Sequence, residues 1–307
     1  MNLFILKESA CIVPPNNAAQ NDNTIKRGII LVSISVFVFL GVIVGSFGTL
    51  IGAGGGFLLT PILLIYYPTM SAQTITAISM TTVFFNSSSG SFAYARMKRI
   101  DYKTGIIFAL ATLPCSIIGT ILTTMMPREM FDTIFGASML IFASFIILKS
   151  RMGNNFAPID KKGNFRAIRR LIDGEGNEAA FSFNMLAGVL ISLMVGFLSG
   201  LLGIGGGIVH VPALVFLGFP AHFATATSHF VLVFSSLTSL LVHLTASSLV
   251  KMETISLSIA IGSIIGAQIG ARISKRIKGS VIMLSLAAAL VFAGGRILYK
   301  GLVGLWF

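Results

Sequence analysis

The sequence predicts an all-α polytopic membrane protein made of two homologous repeats of about four transmembrane helices each. The first helix of each repeat is expected to be broken or hairpinned at a Gly-x-Gly-Gly-Gly motif. Three observations lead there. Mean hydropathy is +0.91, and only 10% of the 307 residues are charged, against the ~25% usual in soluble domains. Many apolar runs approach or exceed the ~18 residues that mark a membrane span. Finally, Gly52, Gly54, Gly55, Gly56 and Pro61 recur as Gly203, Gly205, Gly206, Gly207 and Pro212, at a constant offset of 151 residues.

Taken in order, residues 1–27 form a polar tail with Pro14-Pro15 and an Asn-rich run to Asn23. Its apolar patch, Leu3 to Leu6, is too short for a signal-peptide core. Residues 28–148 make the first membrane repeat, with apolar runs at about 29–51, 57–67, 72–95, 104–126 and 130–148. Residues 149–182 read as a charged cytoplasmic linker. It carries Lys149, Arg151, Lys161, Lys162, Arg166, Arg169 and Arg170, and ends in the turn-rich Asp173-Gly174-Glu175-Gly176-Asn177. A short amphipathic helix is expected around residues 165–172. Residues 183–307 make the second repeat, with runs at 183–202, 208–219, 221–250, 254–271 and 280–299. The duplication extends beyond the glycines. Ala77-Ile78-Ser79 matches Ala226-Thr227-Ser228, Phe85-Asn86-Ser87 matches Phe234-Ser235-Ser236, and Ile117-Ile118-Gly119 matches Ile264-Ile265-Gly266.

The topology turns on the glycines. Residues 29–67 would make a helix of roughly 60 Å at 1.5 Å per residue, too long for ~30 Å of hydrocarbon. A hairpin at the glycines, which makes the two halves inverted, is therefore favoured over a single span with parallel halves. The charges divide: only the hairpin gathers Arg272, Lys275, Arg276 and Lys278 on one side with Arg96, Lys98, Arg99 and the linker, and only the single span places Lys26 and Arg27 there. The net charge of +12 then reads as the positive-inside bias of cytoplasmic loops, not as a nucleic-acid surface, and no nucleic-acid partner is expected.

Irregular backbone at membrane depth survives only where protein or a watery cavity satisfies it. A helix restarting at Gly56 or Gly207 aims free N–H groups and a partial positive charge into that space, which suits an anion. Close helix packing is the competing explanation. It accounts for the outer glycines of the stripes Gly41, Gly45, Gly48, Gly52 and Gly196, Gly200, Gly203, Gly207, and for Gly262, Gly266 and Gly270. It does not require three consecutive glycines twice, so Gly54, Gly55, Gly56, Gly205, Gly206 and Gly207 are the expected substrate site. Ser79, Asn86, Ser228 and Ser235, paired by the repeat, are expected to add neutral donors, although Ser and Thr in membrane helices also bond back to their own backbone. No Asp or Glu lies mid-span. His210 and His229 are therefore the proton-coupling candidates, with a hydrogen-bonded structural histidine as the alternative for each, and His243 is the weaker third.

Cys11 and Cys115 make no disulfide framework and no CxxC pair. Neither HExxH, nor a phosphate-binding loop, nor a nucleophile elbow appears. No catalytic residue, metal or cofactor is expected. The expected partners are a small anionic substrate and the bilayer, with homo-oligomerisation left open.

The paired GxGGGxxxxP motifs, the Ala-Ile-Ser and Ala-Thr-Ser starts of the next helices and the basic loop Arg96–Asp101 resemble the TauE/SafE sulfite-exporter family over roughly residues 29–299. The resemblance implies two related four-helix units. It also implies export of sulfite, sulfoacetate or another small organosulfur anion across the bacterial inner membrane. The expectation is a secondary transporter working by alternating access. A passive anion channel and a non-transporting membrane sensor or assembly partner are the rivals. A metal cation held by histidines is disfavoured, because no carboxylates accompany them.

Overall fold

The computed structural model describes residues 34–152, 166–176, 178–245, 253–274 and 279–306. The expected tail, residues 1–27, lies outside the described residues. The chain opens with helix α1 (Ile34–Ile51). There follow α2 (Gly56–Tyr66), α3 (Ala72–Arg96), α4 (Tyr102–Met125) and α5 (Arg128–Met152). A two-stranded hairpin, β1 (Arg166–Ile172) and β2 (Glu178–Asn184), leads to α6 (Met185–Leu202), α7 (Gly207–Phe216), α8 (Ala221–Thr245), α9 (Glu253–Ile273) and α10 (Gly279–Trp306).

Among the described residues six helices are long and apolar enough to cross a membrane: α1, α4, α5, α6, α8 and α9. Large apolar side chains such as Phe39, Leu110, Ile141, Leu190 and Phe292 stand on the outside of the bundle, where a soluble protein would bury them and a bilayer would cover them. Helix α3 has 25 residues but is more polar. Its Thr76, Ser79, Thr81, Thr82, Asn86 and Ser87 are buried in protein. Thr76, Thr81, Thr82 and Ser87 donate to carbonyls one turn back, on Ala72, Ala77, Ile78 and Val83. A central helix surrounded by other helices can carry such a sequence because it does not face lipid.

Among the described residues the one departure from an all-α chain is the hairpin. The helix expected around residues 165–172 is strand β1, paired antiparallel with β2 from Arg166↔Asn184 to Ile172↔Glu178. The apolar positions Ala167, Ile168, Leu171 and Ile172 fit either period. The Asp173–Gly176 turn decides, because it delivers Phe181 and Phe183 to the same side as Ala167 and Leu171. There the rings of Phe181 and Phe183 lie tilted against Phe219, each at a centroid distance of 4.6 Å. Such an aromatic cluster, which packs β2 against the chain after α7, holds a two-stranded ribbon that alone would be marginal.

Contacts give each helix a direction. Asn86 Nδ2 donates to Gly45 O and Tyr94 Oη to Thr49 O, so α1 and α3 run parallel. Helix α2 runs against them: Gly56 lies by Val83, Thr60 bonds Ser79, and Leu64 O near its end accepts from Arg128 at the start of α5. The chain therefore reverses at residues 52–55. The same reasoning places α6 parallel to α4, since Gly196 packs on Thr112 and Gly200 on Ser116. Helix α7 turns back from α6, with Gly207 by Leu232 of α8 and the chain beyond its end, at Gly218 and Phe219, beside the hairpin. Helices α3 and α8 are antiparallel, since Val83 and Leu232 both flank Gly54 while Gly90 lies by His229.

Small residues let these helices approach. Gly41 and Gly45 of α1 face Gly262 and Ser263 of α9, and Gly266 and Gly270 face Val42 and Ser46. The outer glycine stripes are packing seams, as expected. Three helix starts are tied down by side-chain caps: Ser71 and Asp101 cap α3 and α4, and Asn184 caps α6.

One end of the bundle holds the β hairpin, the α3–α4 loop and the end of α9. The opposite end holds the α2–α3 loop, the α4–α5 loop and the end of α10. Cysteines at Thr69 and Lys300, both exposed, are expected to react with a membrane-impermeant thiol reagent from one side of the membrane only, and a cysteine at Arg170 from the other. Labelling of the Thr69 and Arg170 positions from the same side would refute the three crossings, α3, α4 and α5, that separate them.

Candidate functional site

The two glycine turns meet in the middle of the bundle, and every residue of both is buried. Gly52, Gly54 and Gly55 have positive φ, as do Gly203, Gly205 and Gly206. In the first turn, the N–H groups of Ala53 and Gly54 both donate to Gly48 O, folding the chain off the end of α1. Gly55 and Gly206, in left-handed conformation, precede the first residues of α2 and α7. Pro61 and Pro212 sit within the second turn of these helices. Each is buried.

The turns touch each other. A Cβ built on Gly56 would lie 2.9 Å from Gly203 O, and one on Gly207 would lie 2.6 Å from Ala53 Cα. Two short helices thus start back to back at the centre and run outward in opposite directions. Each N-terminus carries roughly half a positive charge and N–H groups that its own helix cannot satisfy. Placing two such ends together in a low-dielectric interior costs energy that an anion between them would offset. Val83 of α3 and Leu232 of α8 close the remaining space, both against Gly54.

The predicted donors divide by location. Ser79 joins the turns: its hydroxyl is 2.7 Å from Thr60 Oγ1, which donates to Gly203 O at 3.0 Å. Ser228 reaches the other turn, donating to Gly52 O at 3.4 Å. Each serine therefore supports the neighbourhood of a turn. Ser235 donates to Leu232 O on its own helix. Asn86 stands apart. It accepts from Thr49 Oγ1 and donates to Gly45 O and to Ser263 O, tying α1, α3 and α9.

The histidines do not meet. His210 Nε2 lies 3.4 Å from Ser192 Oγ and its ring edges onto Phe108. His229 Nε2 lies 3.3 Å from Thr49 Oγ1, with its ring edge-on to Tyr94. His243 is buried near the far end of α8. Among the described residues no group of three His, Cys, Asp or Glu could hold a metal.

Two residues absent from the sequence expectation hold this centre together. Thr60 links both turns through Ser79 and Gly203, and Thr49 links Asn86, His229 and, through its carbonyl, Tyr94. Thr60 had a signal, being the residue before Pro61 inside the motif. Thr49 had none, because the corresponding position of the second copy is Gly200.

A bundle of membrane-length helices around a buried polar centre, with broken helices starting at that centre, is the architecture of a multi-pass membrane transporter. The chain matches the family described as Sulfite exporter TauE/SafE over residues 37–297. It is 31% identical over 279 residues to the probable membrane transporter protein YunE of Bacillus subtilis, an alignment covering 88% of this chain and 99% of that protein. It is 30% identical over 223 residues to a probable membrane transporter protein of Methanocaldococcus jannaschii, covering 71% of this chain and 75% of the relative. No solved structure matches the chain. The chain belongs to the TauE/SafE family and is a multi-pass membrane protein, and its family and relatives mark it as a transporter rather than an enzyme.

Proposed function

We propose that the protein is a secondary transporter of a small anion, most plainly sulfite or an organosulfonate, exported across the cytoplasmic membrane by alternating access. The observation that carries this reading is the meeting of two helix N-termini at the centre of the bundle, from helices that run in opposite directions. Residues 34–152 and 185–306 act as two inverted repeats. In each, a crossing helix and a short returning helix are followed by three longer ones. Helix α1 packs on α9 as α6 packs on α4, so each half embraces the other. Rocking the halves about the glycine contact would expose the centre to alternate sides. Arg96, Arg99, Arg170 and Arg272 cluster at the hairpin end, which supports a cytoplasmic location for that end.

In this reading the N–H groups at Gly54–Gly56 and Gly205–Gly207 hold the anion once the two turns part, that of Gly54 after releasing Gly48 O. Ser79 and Ser228 exchange their present bonds for bonds to the substrate, and Ser235 and Asn86 would have to release backbone carbonyls to join them. His210 or His229 would carry a coupled proton. No nucleotide-binding loop occurs in the sequence, so an ion gradient or the substrate gradient supplies the driving force.

The test is flux in proteoliposomes, with sulfite, sulfate, sulfoacetate, taurine and a carboxylate analogue, at two pH values. Saturable sulfite or sulfonate flux with counterflow is the expected result. Large unitary currents would assign the protein to the channel class, and flux unchanged between the two pH values would remove the histidines from coupling.

A further inference from the structure

The hairpin end of the bundle contains a cavity of about 200 Å³ lined by Arg96, Met97, Arg99, Glu175, Gln268 and Arg272, among others. It lies at the junction of three pieces of chain: the end of α3 and its loop, the β1–β2 turn, and the last turns of α9. At ~30 Å³ per water molecule, it has room for a tetrahedral oxyanion and part of its hydration shell.

Its walls are built rather than incidental. Arg96 is braced by Phe92, its guanidinium carbon 4.5 Å from the ring centroid. Gln268 is fixed by two bonds to Ser89, each 2.8 Å. Arg99 is 5% exposed. Its Nη2 lies 3.4 Å from Asp173 Oδ2 and 3.8 Å from Glu175 Oε2, while its buried Nη1 has no hydrogen-bond partner among the described residues. A buried guanidinium nitrogen without an acceptor is costly, and a charged donor of this kind is what an oxyanion satisfies best. The β1–β2 turn is held in place independently, because Gly174 N donates to Met97 O and Glu175 N to Asp173 Oδ1.

We propose that this cavity is a second anion-binding site, one that captures a small inorganic or organic oxyanion at the cytoplasmic mouth. Arg99, Arg96 and Arg272 hold the ligand, and the Glu175 carboxylate is a tethered competitor for it. The two acidic residues differ in hold on Arg99. Asp173 is buried and closer. Glu175 is half exposed and at the limit of ion-pair distance, so it is the group an incoming anion displaces. The site requires nothing of the central glycine turns. It concentrates substrate at the mouth, the use that a cluster of like charges in a concave surface serves best.

The test measures equilibrium binding of radiolabelled sulfate to the full chain in nanodiscs of zwitterionic lipid at low salt. Glu175→Gln and Arg272→Gln change exposed side chains, so melting temperatures should stay at the wild-type value. Glu175→Gln is expected to tighten sulfate binding and Arg272→Gln to weaken it, each by about three- to fivefold for one partly exposed charge. Affinities within twofold of wild type in both variants would overturn the proposal. Loss of sulfate binding when phosphatidylglycerol is added would also overturn it, by assigning the arginines to lipid headgroups. The outcome is separable from the transport reading. A chain that carries no sulfur anion yet shows this binding pattern retains the site and loses the proposed function. Flux that saturates normally, with binding indifferent to both substitutions, does the reverse.

Discussion

Gly205→Ala is expected to lower anion flux by at least about tenfold and to reduce the thermal stability of the purified protein. Two separate costs add at this position. Gly205 has φ +78°, a left-handed conformation that costs an L-residue about 1–2 kcal/mol. A Cβ there would lie 2.8 Å from Val83 Cγ1, 3.2 Å from Val83 Cγ2 and 3.3 Å from Ala53 O, an overpacking that typically costs another 1–3 kcal/mol. The carbonyl belongs to the opposite turn, so the substitution pushes the two turns apart where the proposed site lies. Gly54→Ala, with φ +75° and its nearest contacts at 3.0 Å and 3.3 Å from the ends of Val83 and Leu232, is expected to be milder, because flexible methyl groups can move where a carbonyl cannot. Combining Gly205→Ala with Val83→Ala removes part of the clash and leaves the backbone strain. The double variant should recover stability only in part and should not recover flux. Wild-type flux in Gly205→Ala would remove the turn from the transport cycle.

The glycine turns were legible in the sequence because their physics is local. A run of three glycines inside an apolar helix has few explanations, and its repetition at one offset excludes most of them. The chain reversal at residues 52–55 followed from length alone, since residues 29–67 exceed the thickness of a bilayer. The seams Gly41–Gly45 and Gly262–Gly270 were likewise readable as small-residue stripes, although which stripe faces which was not. The strand at Arg166–Ile172 was not legible, because its apolar pairs fit both periods and its partner Phe181–Phe183 lies beyond a turn. Non-local bonds were the other gap. Thr60 reaches Gly203 across 143 residues, and Asn86 reaches Ser263 across 177. Nothing in the residues around Asn86 distinguishes a side chain that lines a passage from one that fastens three helices.

That distinction carries the second large effect. Asn86→Asp is expected to prevent accumulation of folded protein, while Asn86→Leu is expected to give a folded but less stable one. In the native chain the Asn86 amide donates to Gly45 O at 3.0 Å and Ser263 O at 3.2 Å, and its oxygen accepts from Thr49. All of these groups are buried. A carboxylate has no hydrogens to donate, so an aspartate would set a negative oxygen against two carbonyl oxygens. It would also add the ~2.5–3.5 kcal/mol that insertion measurements assign to an acidic residue at the centre of a membrane helix. Protonating it restores one donor at most. Leucine has nearly the same shape and carries no charge. It forfeits bonds worth about 0.6–1.7 kcal/mol each in membrane interiors, but Gly45 O and Ser263 O keep their places within α1 and α9. The expected order of melting temperatures in detergent is therefore wild type, then Asn86→Leu, then Asn86→Asp, with flux falling in step with stability. If Asn86 served the substrate directly, Asn86→Leu would melt like wild type and lose flux alone. The separation of melting temperature from flux in that single variant decides between a fastener of α1, α3 and α9 and a donor to the anion.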